Sequence, residues 1–182
     1  MLRSGLAPAK VLAFEALASH LVPQKGRERI VSFIDSAKRS LIVQNERYQD
    51  AIIIEHLVRA KLRGVKVHVM SRPPHSLKAE KLVEDIGGLQ FMHAAGITIR
   101  KLKHLKLHAK ILLADRRRAI IGSINLSPGS FDKRRELAIE VKDRDVLHRL
   151  YKAVRHDWKK SRTLDLTDVA MLANSKRAKN SS

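Results

Sequence analysis

The sequence predicts an α/β domain built on a mixed, largely parallel sheet with helices on both faces. Three observations carry that expectation. Short runs rich in β-branched residues alternate with stretches whose apolar residues recur at helical spacing, glycines mark several of the joins, and 182 residues suit one domain with a single core. Helical crossovers between parallel strands are right-handed, which places helices against the sheet.

Taken in order, residues 9–21 carry one helical stripe (Val11, Leu12, Phe14, Leu17, Leu21) and residues 27–39 a second (Ile30, Val31, Phe33, Ile34, Ala37), with Pro23 and Gly26 between them. LIVQ at 41–44 reads as a strand, followed by a helix over 50–63 that Gly64 ends, and by VKVHV at 65–69. A further helix over 76–86 is expected to stop at Gly87-Gly88, and Gly96 introduces the strand ITIRKL. Two strands are expected at 108–114 and 119–123, then ELAIEV at 136–141 and a last helix over 143–160. From 161 the chain turns polar and is expected to be disordered, because it has few apolar residues to dock with.

Composition bounds the partners. Hydrophobic residues make up 44% and aromatics 4%, so the core should be aliphatic, with Tyr151 and Trp158 reading as anchors of the last helix rather than as base-stacking platforms. A formal charge of +19 favours polyanions such as nucleic acid or an anionic membrane surface. The absence of cysteine excludes disulfides, thiolate metal sites and cysteine nucleophiles. No apolar run approaches the ~20 residues that span a bilayer, and Pro8 and Glu15 interrupt the opening segment, so a soluble, cytoplasmic protein without a transmembrane segment is expected. The stripe at 9–21 fits packing onto the body better than lying on a membrane.

One segment concentrates chemistry. His108-Ala-Lys110 is followed after four residues by Asp115, and after six more by Gly122-Ser123-Ile124-Asn125. Strand alternation would put His108, Lys110 and Leu112 on one face and Ala109, Ile111 and Leu113 in the core, and would bring Ser123 and Asn125 together. Gly122 would let a substrate or a neighbouring strand come close. Such a set suits an anionic phosphoester. An imidazole can attack phosphorus, an ammonium can neutralise the non-bridging oxygens, and hydroxyl and amide groups can donate to them.

HAKILLADRRRAIIGSIN resembles the phospholipase D superfamily signature, H-x-K-x4-D-x6-G-S-x-N, at every specified position. Six fixed positions would coincide by chance on the order of once in 10⁷ windows. The resemblance covers about residues 27–160, leaving 1–26 as a helical extension and 161–182 as a tail. It implies a metal-independent phosphodiesterase, a hydrolase with transfer to an alcohol open to it, that uses no cofactor and cleaves a phospholipid head group or a nucleic-acid backbone through a phosphohistidine. It makes His108 the nucleophile, gives the phosphate to Lys110, Ser123 and Asn125, and counts Asp115 in the catalytic motif with a mainly structural or orienting part. Glu136, in RREL, resembles the downstream acid that holds the nucleophilic imidazole through its other nitrogen. Glu46, at the end of the first strand of the lobe, is placed as a neighbour of the site, as is Gly122.

Enzymes of that superfamily use two histidines, and this chain carries one motif. His104-Leu-Lys106 imitates a second, but its Asp position falls on Ile111 and no Gly-Ser follows. A two-fold homodimer sharing one active site would supply the second His108. Two alternatives remain at this level: a basic lobe that binds nucleic acid or a partner, or the second half of a two-lobed enzyme that is inactive alone. Lys101, Lys103, Lys106, Lys133, Arg134 and Arg135 flank the motif and would ring its cleft, while Arg116-Arg117-Arg118 reads equally as a solvated turn or as a phosphate contact beside the site.

Overall fold

The computed structural model describes residues 11–12, 24–73 and 79–166. Helix α1 (Gln24–Asp35) leads into β2 (Ser40–Gln44), α2 (Ala51–Leu62) and β3 (Lys66–Met70); the two-residue strand β1 (Val11–Leu12) precedes them. Then come α3 (Ala79–Ala94), β4 (Thr98–Leu102), β5 (Ile111–Ala114), β6 (Arg118–Gly122), the short α4 (Pro128–Asp132), β7 (Ala138–Val141), α5 (Arg144–Lys160) and β8 (Ser161–Thr163).

The strands form one sheet in the order β1-β7-β6-β5-β2-β3-β4-β8. It is mixed, as expected, but not largely parallel: only β2–β3 and β3–β4 pair in parallel, and the other five pairings are antiparallel. The reason is local. From β5 onward, β6 follows by a turn too short for a parallel crossover, and β7 follows by a linker whose only helix is the five-residue α4, so neither connection carries a helix that would return the chain to the same edge of the sheet.

Both faces of the sheet are covered. Leu41, Val43, Leu112, Ala114 and Ile120 pack with Ile30, Phe33 and Ile34 of α1, Ile53 and Leu57 of α2, and Leu89 and Met92 of α3. The alternate residues Ile42, Ile111, Leu113 and Ile121 pack with Leu147 and Val154 of α5. Leu112 and Leu113 are therefore both buried, and the expected division of this segment into one open and one core face does not hold.

Caps fix two of the helices. The Asp50 side chain accepts from the Ile53 N–H at the start of α2, and Asp143 from the Asp145 and Val146 N–H groups at the start of α5. Three expectations fail for physical reasons. Helix α3 runs through Gly87-Gly88, and the glycine pair does not stop it. A Cβ on Gly88 would collide with the Tyr48 carbonyl and lie 2.6 Å from Ile54 Cδ1, so this glycine serves the close approach of α3 to the 45–50 loop. Within the expected helix 9–21, residues 11–12 are instead a strand that covers the open edge of β7, with Val11 opposite Val141; the remainder of that stretch lies outside the described residues. The expected disordered tail begins ordered. Ser161–Thr163 pairs with β4, and Leu164 and Leu166 are buried in the core at 4% and 7% exposure, each worth about 1.5–3 kcal/mol of burial.

Candidate active site

The registers define one functional end of the sheet. Gln44 lies opposite both Met70 and Ile111, Ile111 opposite Ile121, and Gly122 opposite Ala138. Five chain segments therefore emerge side by side: Asn45-Glu46 after β2, Ser71-Arg72 after β3, His108–Lys110 before β5, Ser123–Asn125 after β6 and Glu136 before β7. The carboxyl ends of the parallel pair β2–β3 lie here, where open α/β sheets characteristically leave a crevice.

His108–Lys110 is extended loop rather than the start of a strand, and that frees the imidazole. The His108 side chain is 83% exposed, whereas that of Lys110 is 7% exposed and that of Glu46 10%. His108 Nδ1 lies 3.0 Å from Glu46 Oε2. Lys110 Nζ lies 3.3 Å from Glu46 Oε1 and donates to the His108 carbonyl at 2.8 Å. The Asn125 side chain also favours the ionised form of this carboxylate, and Arg72 Nη1 stands 3.8 Å from it. Burial by itself would raise the Glu46 pKa, but the His108 bond, the Lys110 charge and the Asn125 amide outweigh it and hold the carboxyl below its ordinary range.

Glu46 is held there by its own loop. The Asn45 amide donates to the Ile124 carbonyl at 3.0 Å, and its oxygen accepts from the Arg47 and Leu126 N–H groups. Fully buried Tyr48 donates to the Met70 carbonyl at 2.9 Å, and Tyr48 forms a bridge with Leu126. The loop after β2 is thus zipped to the Gly-Ser-Ile-Asn loop after β6.

Glu136 does not hold His108 within the chain. Its Oε2 accepts from Ser123 Oγ and its Oε1 from Ser130 Oγ at 2.9 Å. Ser130 Oγ in turn accepts from the Asn125 N–H at 3.3 Å, which ties the Gly-Ser-Ile-Asn loop to the Ser123–Glu136 group. Among the described residues the buried Asn125 side-chain oxygen has no hydrogen-bond partner, a cost of about 1–3 kcal/mol.

Two other residues singled out by the motif stand elsewhere. Asp115 follows Ala114, which lies opposite Leu41 at the far end of β5 from His108. Its carboxylate accepts from the backbone N–H groups of Lys38, Arg39 and Ser40 at 3.0, 2.7 and 2.9 Å. Burial opposes ionisation of Asp115, but these donors and the Arg39 charge hold its pKa below the ordinary value. Asp115 ties a turn together and is one β-strand length, roughly 13 Å, from the end of the sheet where His108 and Lys110 lie. Gly122 serves the neighbouring strand: a Cβ there would lie 2.6 Å from Ala138 Cα.

The basic residues divide in the same way. Lys103 and Lys106 in the β4–β5 loop and Lys133, Arg134 and Arg135 before Glu136 leave the functional end, whereas Lys101 lies within β4 opposite Arg162. Arg116 and Arg118 lie at the far turn, over the rings of Tyr151 and Phe33, and Arg118 pairs with Glu140 at 2.6 Å, so a phosphate contact of this run beside the site is excluded by position. Sequence reasoning missed Ser130 and Arg72. The signal for Arg72 was its place just beyond the second of two parallel strands; nothing in the sequence pointed to Ser130. Among the described residues no group of His, Asp and Glu is arranged to hold a metal ion, and no helix is long and apolar enough to cross a membrane.

Comparison with known proteins gives the same family. The family model described as cardiolipin synthase, PLD-like domain matches residues 30–158. The chain is similar to a phospholipase D of Rickettsia felis, 29% identical over 119 residues, which is 64% of this chain and 56% of that protein. It is also similar to the major cardiolipin synthase ClsA of Bacillus subtilis, 27% identical over 72% of this chain and 27% of that protein. The chain thus spans about half the length of the first relative and about a quarter of the second. In fold it resembles Nuc of Salmonella typhimurium, a phospholipase D family member, with a TM-score of 0.68, 23% identity and coverage of 75% of this chain and 89% of that one. The likeness to NucT of Helicobacter pylori has a TM-score of 0.69, 16% identity and coverage of 85% and 97%. The motif, the end-of-sheet cluster and the match across residues 30–158 together place the chain in the cardiolipin synthase, PLD-like domain family of the phospholipase D superfamily.

Proposed function

We propose that this chain is a metal-independent phosphodiesterase that works as a homodimer through a phosphohistidine on His108. The observation that carries the reading is the exposed His108 imidazole, with the buried Lys110 ammonium 3.4 Å from its Nε2. Nε2 attacks phosphorus, the N–P bond forms and the P–O bond to the leaving group breaks. Lys110, Ser123 and Asn125 bear on the non-bridging oxygens, where negative charge accumulates. The partner's copy of the same histidine, as imidazolium, protonates the leaving oxygen. Water then breaks the N–P bond, giving its proton back to that second ring.

A single motif supports the dimer, because a two-fold axis beside His108 brings two identical imidazoles to one phosphate. The two rings must differ in protonation when they react, so their titration belongs to the pair and the rate should fall on both sides of an optimum. A rate that is flat between about pH 5 and 9 would contradict this pairing.

The names of the sequence relatives, phospholipase D and cardiolipin synthase, support a phospholipid head-group diester, and the charge of +19 supports a nucleic-acid backbone. The test compares wild type and His108→Asn, with EDTA present, on bis-p-nitrophenyl phosphate, single-stranded DNA and phosphatidylcholine–cardiolipin vesicles. Wild-type turnover on at least one diester, lowered at least about a thousandfold by the substitution, is the expected result. Activity that EDTA abolishes, or that the variant keeps, would overturn the mechanism.

The single motif also favours one second reading: a basic binding lobe, or half of a two-lobed enzyme, inactive alone. A strict monomer in light scattering, without diester hydrolysis, would select it.

A further inference from the structure

We propose that Glu46 is the carboxylate that positions both working side chains of the motif, and that Glu136 positions Ser123 instead. This rests on the phosphohistidine reading and extends it, since neither the motif nor the family resemblance gives Glu46 such a part.

The division follows from the oxygens. A carboxylate that is ionised can only accept, so the proton shared between Glu46 Oε2 and His108 Nδ1, 3.0 Å apart, resides on the ring nitrogen. That leaves the lone pair on Nε2, the atom that must attack. Lys110 Nζ does not compete for Nδ1. It stands 3.0 Å from Nδ1 and 3.4 Å from Nε2, and closeness to both nitrogens puts the ammonium against the ring rather than along either lone pair. Glu46 Oε1, 3.3 Å away, and the His108 carbonyl, 2.8 Å away, hold the ammonium there, against the ring that would carry the phosphoryl group.

Within one chain, the other carboxylates named at this end are committed. Both oxygens of Glu136 are taken by Ser123 and Ser130, and Asp157 accepts from Gln44. Asp115 lies at the opposite end. Glu46 is buried on a loop fixed by Asn45 and Tyr48, so its place does not depend on substrate.

Charge gives the arrangement a second consequence. With a neutral imidazole, Lys110, Arg72 and Glu46 of one chain leave one net positive charge beside the ring, which favours an anion there. Glu46→Gln would raise that charge while leaving the ring free to take either tautomer. Ground-state binding of an anion should then tighten while the attacking form is depleted.

The experiment measures kcat and KM on bis-p-nitrophenyl phosphate, the Ki of inorganic phosphate, and the nitrogen NMR shifts of His108, in wild type, Glu46→Gln, Glu46→Asp and Glu136→Gln. For Glu46→Gln the expected result is a kcat lower by roughly 100-fold, an unchanged or lower KM, a lower phosphate Ki, and loss of the Nδ1–H tautomer seen in wild type. Glu46→Asp should recover part of kcat. Glu136→Gln should raise KM and leave the His108 shifts as in wild type. A kcat for Glu46→Gln within twofold of wild type, or His108 shifts that move in Glu136→Gln and not in Glu46→Gln, would overturn the assignment. Thermal melting separates a folding defect from these effects. If wild type hydrolyses no diester, the phosphohistidine reading fails, and the NMR and phosphate-binding results still decide between Glu46 and Glu136.

Discussion

The two ends of the sheet treat their polar groups in opposite ways. At the Asp115 end each named group has a partner: the carboxylate accepts three backbone N–H groups, Arg118 pairs with Glu140, and Arg116 lies over Tyr151. At the His108 end the imidazole is open to solvent, the Asn125 oxygen is buried with no partner among the described residues, and one carboxylate is shared by a histidine and a lysine. Hydrogen bonding that is saturated holds backbone in place, and hydrogen bonding left incomplete is available to a substrate. The H-x-K and Asp parts of one motif therefore divide between the open candidate site and a saturated turn, although only four residues separate Lys110 from Asp115.

Substitution can break this contrast. Asp115→Ala should have the largest effect on stability, about 3 kcal/mol, because three N–H groups lose a charged acceptor and alanine must adopt a φ of 53°. Chemical denaturation would measure it. Turnover per folded molecule should change little, and a large loss of kcat in folded Asp115→Ala would show that the two ends are coupled. Gly122→Ala comes next, at about 2 kcal/mol, since the new methyl group must displace β7 where Ala138 stands 2.6 Å away. Because β7 begins just after Glu136, this variant should also weaken substrate binding, which the KM reports.

The smallest effect sharpens the contrast through pH. The Asp115 pKa lies below its ordinary 3.8 in the folded chain, so the unfolded chain binds more protons in that range. Its contribution to stability is complete above that ordinary value and is lost as pH falls through the lowered one. Asp115→Asn, which tolerates the same backbone conformation, should therefore be less stable than wild type at neutral pH, with the gap closing below about pH 3.8. Acid titration followed by circular dichroism would show it, and a gap that stays constant would refute the assigned role.

The side chains of the candidate site were legible because motif spacing is a property of the chain. His108, Lys110, Ser123 and Asn125 emerge at one end of the sheet, since β5 and β6 are joined by a tight turn that local residues dictate. The β-rich runs at 41–44, 65–69 and 97–102 became strands, and the helix at 143–160 formed within one residue of its expected start. Gly87-Gly88 misled because a glycine pair looks the same in sequence whether it ends a helix or lets one pass close to another backbone. The docked segment at 161–166 was missed because its burial comes from two leucines meeting a core built elsewhere in the chain.

By itself, the sequence determined the α/β class, the family motif and the fact that the motif occurs once. Tertiary structure decided which carboxylate faces His108, which residue of the motif works at a distance from it, and how much of the sheet is parallel. The physical reason is range. Spacing within a motif is fixed by the covalent chain, whereas Glu46 reaches His108 across 62 residues only because β2 lies between β3 and β5.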